Sequence, residues 1–533
     1  FSCAGPSPVD TEPMTSPQLP RRSLLLGGLG VIGVGALAAC TSGGAGHAGD
    51  AAHASNTPHV GMDMGNGKTI GPVPSAGPSA GQKLVTATLT PKRTTLDLGG
   101  VTVDTWAYGD SVPGQAIRAT AGDFLRVTVD NQLPADTTVH WHGIRLRNAA
   151  DGVPGVTQDA IRPGARYVYE FTAPDPGTFF FHPHVGLQLD RGLYAPLILD
   201  DPAEPGGYDA EWVVVLDDWL DGVGTTPDDV LAKLIADGGP ANGNGGMDGM
   251  GGMGGMDHGG MGGMNHGMGQ APWGDAGDVT YPHYLINGKT PTDPTTLSAK
   301  PGQRVRLRVI NAASDSVFTV ALGGHRMTLT HADGHPVQPT EVGAFYIGMG
   351  ERYDAIVTLG DGAFPLVAAP FGKQGHALAV VRTGAGAAPG PDAMPSELGG
   401  QVFLGSRLLP SAGSRLPDRA PDATVNLTLN GAMKPYLWGM NGAPYGKNSP
   451  LLARAGQRLR INVVNMTMMS HPLHLHGPAF ALADTGLRKD TLLLAPMESR
   501  QLDLDPEVGD WMVHCHNTYH AEAGMMILFS ATA

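Results

Sequence analysis

The sequence is sparing in the features that mark disulfide-stapled, nucleic-acid-binding or membrane-spanning proteins. Its 533 residues include three cysteines, too few for a disulfide framework. Charged residues make up 16% of the chain, no basic run exceeds a pair, and the formal net charge is −15. A polyanionic partner such as nucleic acid is therefore disfavoured, while small cations are tolerated or attracted. The apolar run from Leu24 to Ala39 has 16 residues, short of the about 20 that span a bilayer. What the chain has instead is turn formers, with 78 Gly and 44 Pro. That composition suits an all-β protein of many short strands, and the length suits three domains.

The three cysteines differ in context. Cys3 lies in the extreme N-terminal tail, Cys40 ends the apolar run, and Cys515 stands between two histidines. Arg21-Arg22, the apolar run and Leu37-Ala38-Ala39-Cys40 follow the basic, apolar, small-residue order of an export signal. The arginine pair with Leu24-Leu25 resembles a twin-arginine signal, although Pro20 replaces the usual Ser or Thr. The segment ending at Cys40 resembles a lipobox, in which Cys40 is acylated; the alternative is a plain Ala-x-Ala cleavage site with a chance cysteine. Residues 1–40 are thus read as a twin-arginine-like lipoprotein signal. The expected location is the outer face of the cytoplasmic membrane, with the chain held as a cell-surface lipoprotein. Residues 41–82, rich in Gly, Ala, Ser and Pro, read as a flexible linker.

Beyond the linker an internal repeat emerges. Gly122–Asn131, Gly302–Asn311 and Gly456–Asn465 each present a turn followed by a strand with apolar residues at alternate positions. Their spacings of 180 and 154 residues are domain-sized, not those of a solenoid. We read three copies of one Greek-key β-sandwich over 83–202, 203–390 and 400–533, the second interrupted by a Gly/Met-rich insertion at 238–270.

The repeat also aligns histidines. His140 and His474 lie nine residues past Asn131 and Asn465, and each opens a His-x-His. His182 and His514 lie five past Gly177 and Gly509, and open two more. At the same counts the middle copy has Val320, Leu322 and Val367. Period-two alternation puts both imidazoles of a His-x-His on one face of a strand. In His514-Cys515-His516 the same rule turns Cys515 to the opposite face, toward a separate metal. His471, His520 and Met525 are close by in sequence. Two imidazoles, a thiolate and a thioether describe a blue-copper electron-transfer site, whereas zinc seldom recruits methionine.

His140-Trp141-His142-Gly143, His182-Pro183-His184, His471-Pro472-Leu473-His474-Leu475-His476-Gly477, and His514-Cys515-His516 with His520 and Met525 resemble the four signature motifs of the multicopper oxidases. That family includes laccases, cuprous oxidases, ferroxidases and copper-resistance oxidases. The likeness runs from about residue 83 to the end, and is greatest to three-domain, lipid-anchored actinobacterial members. The resemblance implies three cupredoxin-like domains and four copper ions. The type 1 copper would be held by His471, Cys515, His520 and Met525, and the type 2 copper by His140 and His474. One type 3 copper would take His142, His182 and His516, and the other His184, His476 and His514. The cluster would sit between the first and third domains, with the second as spacer. Electrons would leave a reductant one at a time and pass through Cys515 and its neighbours His514 and His516. Dioxygen would then be reduced to water.

Asp151 falls where the family often places a carboxylate beside the cluster, although an Asp before Gly152 also favours a plain turn. Many bacterial relatives carry a Glu directly after the second type 1 histidine, but here that residue is Ala521. Glu522 follows, and on an extended chain it would face away. Met525 as axial ligand implies a moderate potential, suited to Cu(I), Fe(II) and easily oxidised phenols or diamines. Met247, Met250, Met253, Met256, Met261, Met264 and Met268, with His258 and His266, recur among glycines. Soft thioethers select Cu(I), so this insertion reads as a Cu(I) collector or, more blandly, a Gly-rich linker. Met468 and Met469 could add a docking site or simply fill the core. His325, His331, His335 and His376 are read as structural or surface residues. The competing function is copper sequestration without turnover. Nitrite reduction is disfavoured, since its type 1 cysteine is not normally flanked by two cluster histidines.

Overall fold

The computed structural model describes residues 70–71, 73–204, 206–238 and 272–533. The export signal with Cys40, most of the linker and Met247 to Met268 lie outside the described residues. No helix among the described residues is long and apolar enough to cross a membrane.

Three β-sandwiches follow one another. In each, a strand pairs in parallel with the repeat strand: Leu84–Leu89 with Phe124–Asp130, Ala210–Trp219 with Arg304–Asn311, and Ala423–Met433 with Leu459–Asn465. On its other side each repeat strand pairs antiparallel, with Arg166–Thr172, Arg352–Thr358 and Ser499–Leu504 respectively. Three copies of one topology are therefore present, as the repeat predicts. The third sandwich begins at Ala423, not at 400: Val402–Phe403 add to the second domain's sheet by pairing with Ala344–Ile347.

The asparagine ending each repeat strand has one physical task. Asn131, Asn311 and Asn465 are all fully buried, and the side-chain amide of each donates to two main-chain carbonyls. Asn131 bonds Ala135 and Ile161, Asn311 bonds Ser316 and Ile347, and Asn465 bonds Met469 and Ala495. Each thereby satisfies the backbone of a loop that crosses the sandwich, where unpaired carbonyls would be costly.

These bonds also correct the count in the middle domain. The first acceptor lies four residues on in the outer domains but five on in the middle one, so that loop is one residue longer. Val320 and Leu322 consequently face the sandwich core. The pair matching His140 opposite His182 is Ala321 opposite Val367. The middle domain still offers no imidazole there.

Candidate metal centre

The ligand strands place the histidines by alternation. His140 lies opposite His182, and His474 opposite His514, in antiparallel ladders. Trp141 and Phe181 turn inward to the first core, and Leu473, Leu475 and Val513 to the third. The histidines between them turn outward, and the two outward faces meet. His140 stacks on His476 at 3.7 Å between ring centroids, and His142 on His474 at 3.8 Å. The Nε2 atoms of His140 and His474 are 3.4 Å apart.

Most of these rings commit one nitrogen to the protein and leave the other free. His140 Nδ1–H donates to the Asp151 carbonyl (2.9 Å), His474 Nδ1–H to the Asp490 carbonyl (3.0 Å), and His514 Nδ1–H to the Cys515 carbonyl (2.9 Å). His476 Nδ1–H donates to Asp151 Oδ2 (2.8 Å), and His142 Nε2–H to Asp490 Oδ1 (3.1 Å). His142 Nδ1, His182 Nε2, His184 Nε2 and both nitrogens of His516 are buried without a partner. Burial holds His142, His182, His476, His514 and His516 well below the usual imidazole range, reinforced by their like neighbours. Neutral imidazoles aiming unfilled lone pairs into one cleft fit metal ions.

The donor atoms fall into groups. His184, His476 and His514 form one, as the resemblance implies; His140 and His474 meet in another, with His476. His142 and His182 group with His140, and the His516 ring lies 4.9 and 5.2 Å from theirs. Asp490 is pressed well below the usual carboxylate range: burial works against this, but the Arg352 guanidinium and hydrogen bonds from His142 and His474 prevail.

Cys515 points the other way. Its Sγ lies 3.6 Å from His471 Nδ1 and 3.7 Å from His520 Nδ1, which are themselves 3.1 Å apart. Met525 is fully buried in the same core. The Cys515 amide donates to the Met525 carbonyl at 3.0 Å. The far nitrogens are held too: His471 Nε2 by Thr467 Oγ1 (2.7 Å) and His520 Nε2 by Asp278 Oδ2 (2.9 Å). Asp278 also accepts from the Tyr436 hydroxyl at 2.8 Å, and Trp438 packs over His520 at 4.1 Å. Burial alone would lower the His520 imidazole, yet the Asp278 charge lifts it to about 10. A metal at this site therefore competes with that proton. A sulfur and two imidazole nitrogens brought together in this way, with Met525 buried in the same core, suit copper.

Asp490, Asp278, Thr467, Thr491 and Trp438 carry no repeat-spaced signal, and sequence reasoning misses them. Glu522 is a correction. Its stretch is not extended: Asn517 caps a short helix, Thr518–Glu522, by accepting from the amides of Tyr519 and His520. The helical turn brings Glu522 to a cavity shared with His182, His184 and His514, and burial pushes its carboxyl up to about 7. His325 bonds Gly323 and Gly360, and His376 bonds Pro391, as structural and surface residues do. Met468 is exposed whereas Met469 is buried.

Three tandem β-sandwiches with a histidine cleft between the outer two and a cysteine-centred site in the last define a metal-dependent oxidoreductase scaffold. Multicopper oxidase family models match residues 90–204, 265–387 and 418–532, and the chain belongs to the multicopper oxidase family. It is 44% identical over 510 residues to the multicopper oxidase MmcO of Mycobacterium tuberculosis, covering 95% of each chain. It is 29% identical to a copper resistance protein A homolog of Pseudomonas syringae pv. tomato, covering 82% of this chain and 90% of that one. Among solved structures, a multi-copper oxidase from Pseudomonas thermotolerans superimposes with TM-score 0.62 at 25% identity, covering 84% of this chain and all of that one. Fet3p, a multicopper oxidase that functions in iron import, shares the fold with TM-score 0.70 at 19% identity, covering 84% of this chain and 90% of that one. The protein is an oxygen-dependent oxidase that uses copper.

Proposed function

We propose that the protein oxidises Cu(I), and also Fe(II) and phenols or diamines, one electron at a time while reducing dioxygen to water, and that it serves copper resistance. The observation that carries this reading is the contiguous run His514-Cys515-His516 at the end of the strand Gly509–Cys515. It gives a bonded path from the thiolate site to the histidine cleft. Four copper ions are assigned: type 1 at His471, Cys515, His520 and Met525, type 2 at His140 and His474, and type 3 at His142, His182 and His516 and at His184, His476 and His514. When bound, they would supply electron acceptance at the first site and dioxygen binding at the cleft, with the four ions together storing the four electrons that dioxygen needs. Burial lowers the pKa of His142, His182, His476, His514 and His516, and Asp151 and Asp490 fix the tautomers of His140, His476, His142 and His474.

The choice of Cu(I) rests on the surroundings of His520. A cavity beside it is lined by Asp275, Met349 and Met469, residue types whose carboxylate oxygen and soft sulfurs suit a small cation. Both flanks of the methionine-rich insertion come to this side of the molecule. A Cβ on Gly238 would lie 2.3 Å from the Tyr436 amide nitrogen, and one on Gly274 2.3 Å from the Met468 carbonyl. That anchorage supports delivery of Cu(I) from the insertion. Copper resistance is supported by the relatives carrying that name. Export by the twin-arginine route and a lipid anchor at Cys40, reaching the outer side of the cytoplasmic membrane, are proposed from the signal alone.

Dioxygen uptake by the copper-loaded protein is expected with Cu(I), Fe(II) and a phenol. Deleting residues 245–268 should slow the Cu(I) reaction while sparing the phenol. No uptake with any donor would overturn the reading, and Cu(I) bound beyond four per chain without uptake would favour sequestration. An Asp278→Asn protein should keep its blue colour with a raised type 1 potential in a redox titration, because a buried negative charge beside His520 favours the oxidised metal. An unchanged potential would refute that electrostatic role.

A further inference from the structure

Among its described residues the middle domain brings no histidine to the cleft, yet its segment Gly350-Glu351-Arg352 reaches it. A Cβ on Gly350 would lie 2.8 Å from His516 Cδ2 and 3.0 Å from His142 Cε1. Arg352 is wholly buried and touches all three domains. Its Nε–H donates to the Thr178 carbonyl of the first domain at 3.1 Å, and Nη1–H to the Gly350 carbonyl at 3.1 Å. Its two terminal nitrogens grip Asp490 of the third domain in a fork, Nη1 to Oδ1 and Nη2 to Oδ2, each at 2.6 Å.

The fork fixes the plane of the Asp490 carboxylate, which is what a guanidinium does and an ammonium cannot. So oriented, Oδ1 accepts from His142 Nε2–H at 3.1 Å and from the Thr491 hydroxyl at 2.8 Å. The main-chain carbonyl of the same residue accepts from His474 Nδ1–H at 3.0 Å. One carboxylate residue therefore directs His142 Nδ1 and His474 Nε2 into the cleft. The space allows nothing larger: a Cβ on Gly143 would sit 2.4 Å from Arg352 Nη2 and 2.5 Å from Asp490 Oδ2.

We propose that Arg352, supplied by the middle domain, is a positioning residue for the copper cluster: through Asp490 it presets His142 and His474, one ligand each of a type 3 and the type 2 copper. The proposal rests on the ligand assignment given under the proposed function. A buried ion pair is weak evidence of stabilisation by itself, given the desolvation of both charges. Orientation of the ligands accounts better for an arginine held by three domains.

The test compares copper-loaded wild type, Arg352→Met and Arg352→Lys by blue absorbance, the type 2 electron paramagnetic resonance signal, copper per chain, and kcat and KM for a phenol. For Arg352→Met the blue band and KM are expected to persist. The type 2 signal should weaken, copper per chain should fall, and kcat should drop about 10–100-fold, the usual effect of removing an outer partner of a metal ligand. Arg352→Lys, which keeps the charge but not the fork, should fall between. A lowered melting temperature with normal copper, spectra and kcat would overturn the proposal, leaving Arg352 as a domain staple only. Should Arg352→Met not accumulate, Arg352→Lys decides alone. Selective loss of the type 2 signal supports the proposal. A wild-type signal, or equal loss of blue and type 2 copper, overturns it. A wild type that consumes no dioxygen would sink the oxidase reading, while copper content and spectra would still judge Arg352.

Discussion

A Cys515→Ser protein is expected to purify folded, to lack the blue colour, and to consume dioxygen with Cu(I) or a phenol no faster than a copper-free control. The change is nearly isosteric at a fully buried position, so packing of the last sandwich survives it. What disappears is the sulfur that, among the described residues, is the one cysteine donor within reach of His471 and His520. A serine hydroxyl is a hard neutral oxygen that replaces neither the charge nor the covalency of sulfur. The strand still runs from this position to the cleft, so the cluster ligands keep their places and copper bound there should remain. Folding followed by circular dichroism, with absorbance and dioxygen uptake on the same sample, checks the expectation. Undiminished uptake would overturn the bonded path from Cys515 to His514 and His516.

The second large effect is expected at Asp151, which is 1% exposed and holds two rings from different domains. Its carbonyl accepts from His140 Nδ1–H and its carboxylate from His476 Nδ1–H, at 2.9 and 2.8 Å. The loop has no room to relax, since a Cβ on the next residue, Gly152, would fall 1.9 Å from the Val139 carbonyl oxygen. Asp151→Ala leaves a buried N–H unpaired, which costs about 1–3 kcal/mol. Activity should drop about 10–100-fold through the loosened ligand. Asp151→Asn separates two roles, because its amide oxygen can still accept from His476. If copper content and colour are normal but dioxygen uptake is lost, the carboxylate serves proton supply. If uptake recovers with copper content, it serves only orientation.

How much of this was legible beforehand follows from the range of each interaction. The ligands announce themselves because strand alternation is local: His-x-His and His-Cys-His specify faces without knowledge of anything distant. The three-domain plan was legible for the same reason, since each repeat carries its own turn, strand and loop-holding asparagine. Contacts between distant segments were not. Asp490 and Arg352 are separated by 138 residues and share no pattern, and Asp278 reaches His520 across a domain boundary. Alternation misplaces Glu522 because Asn517 caps a helical turn there, and a period of two does not apply inside one. The offset at Val320 arose from a single extra loop residue, which a count along the chain cannot detect but the asparagine bonds reveal. The middle domain read as a spacer because its part is played by a turn and one arginine, residues that form no metal signature.

The ladder that sets His140 opposite His182 and the one that sets His474 opposite His514 stand far apart along the chain, yet their faces stack ring on ring. Every stacked pair joins an early residue to a late one. A nascent or clipped chain that stops short of Gly509–Cys515 has the first domain's four histidines but neither the thiolate nor His514 and His516. Such a fragment can hold copper only in partial, mismatched sets. Full copper occupancy thus reports that the last sandwich has been made and has found the first, so the metal would act as an inspector of completed synthesis as well as a cofactor.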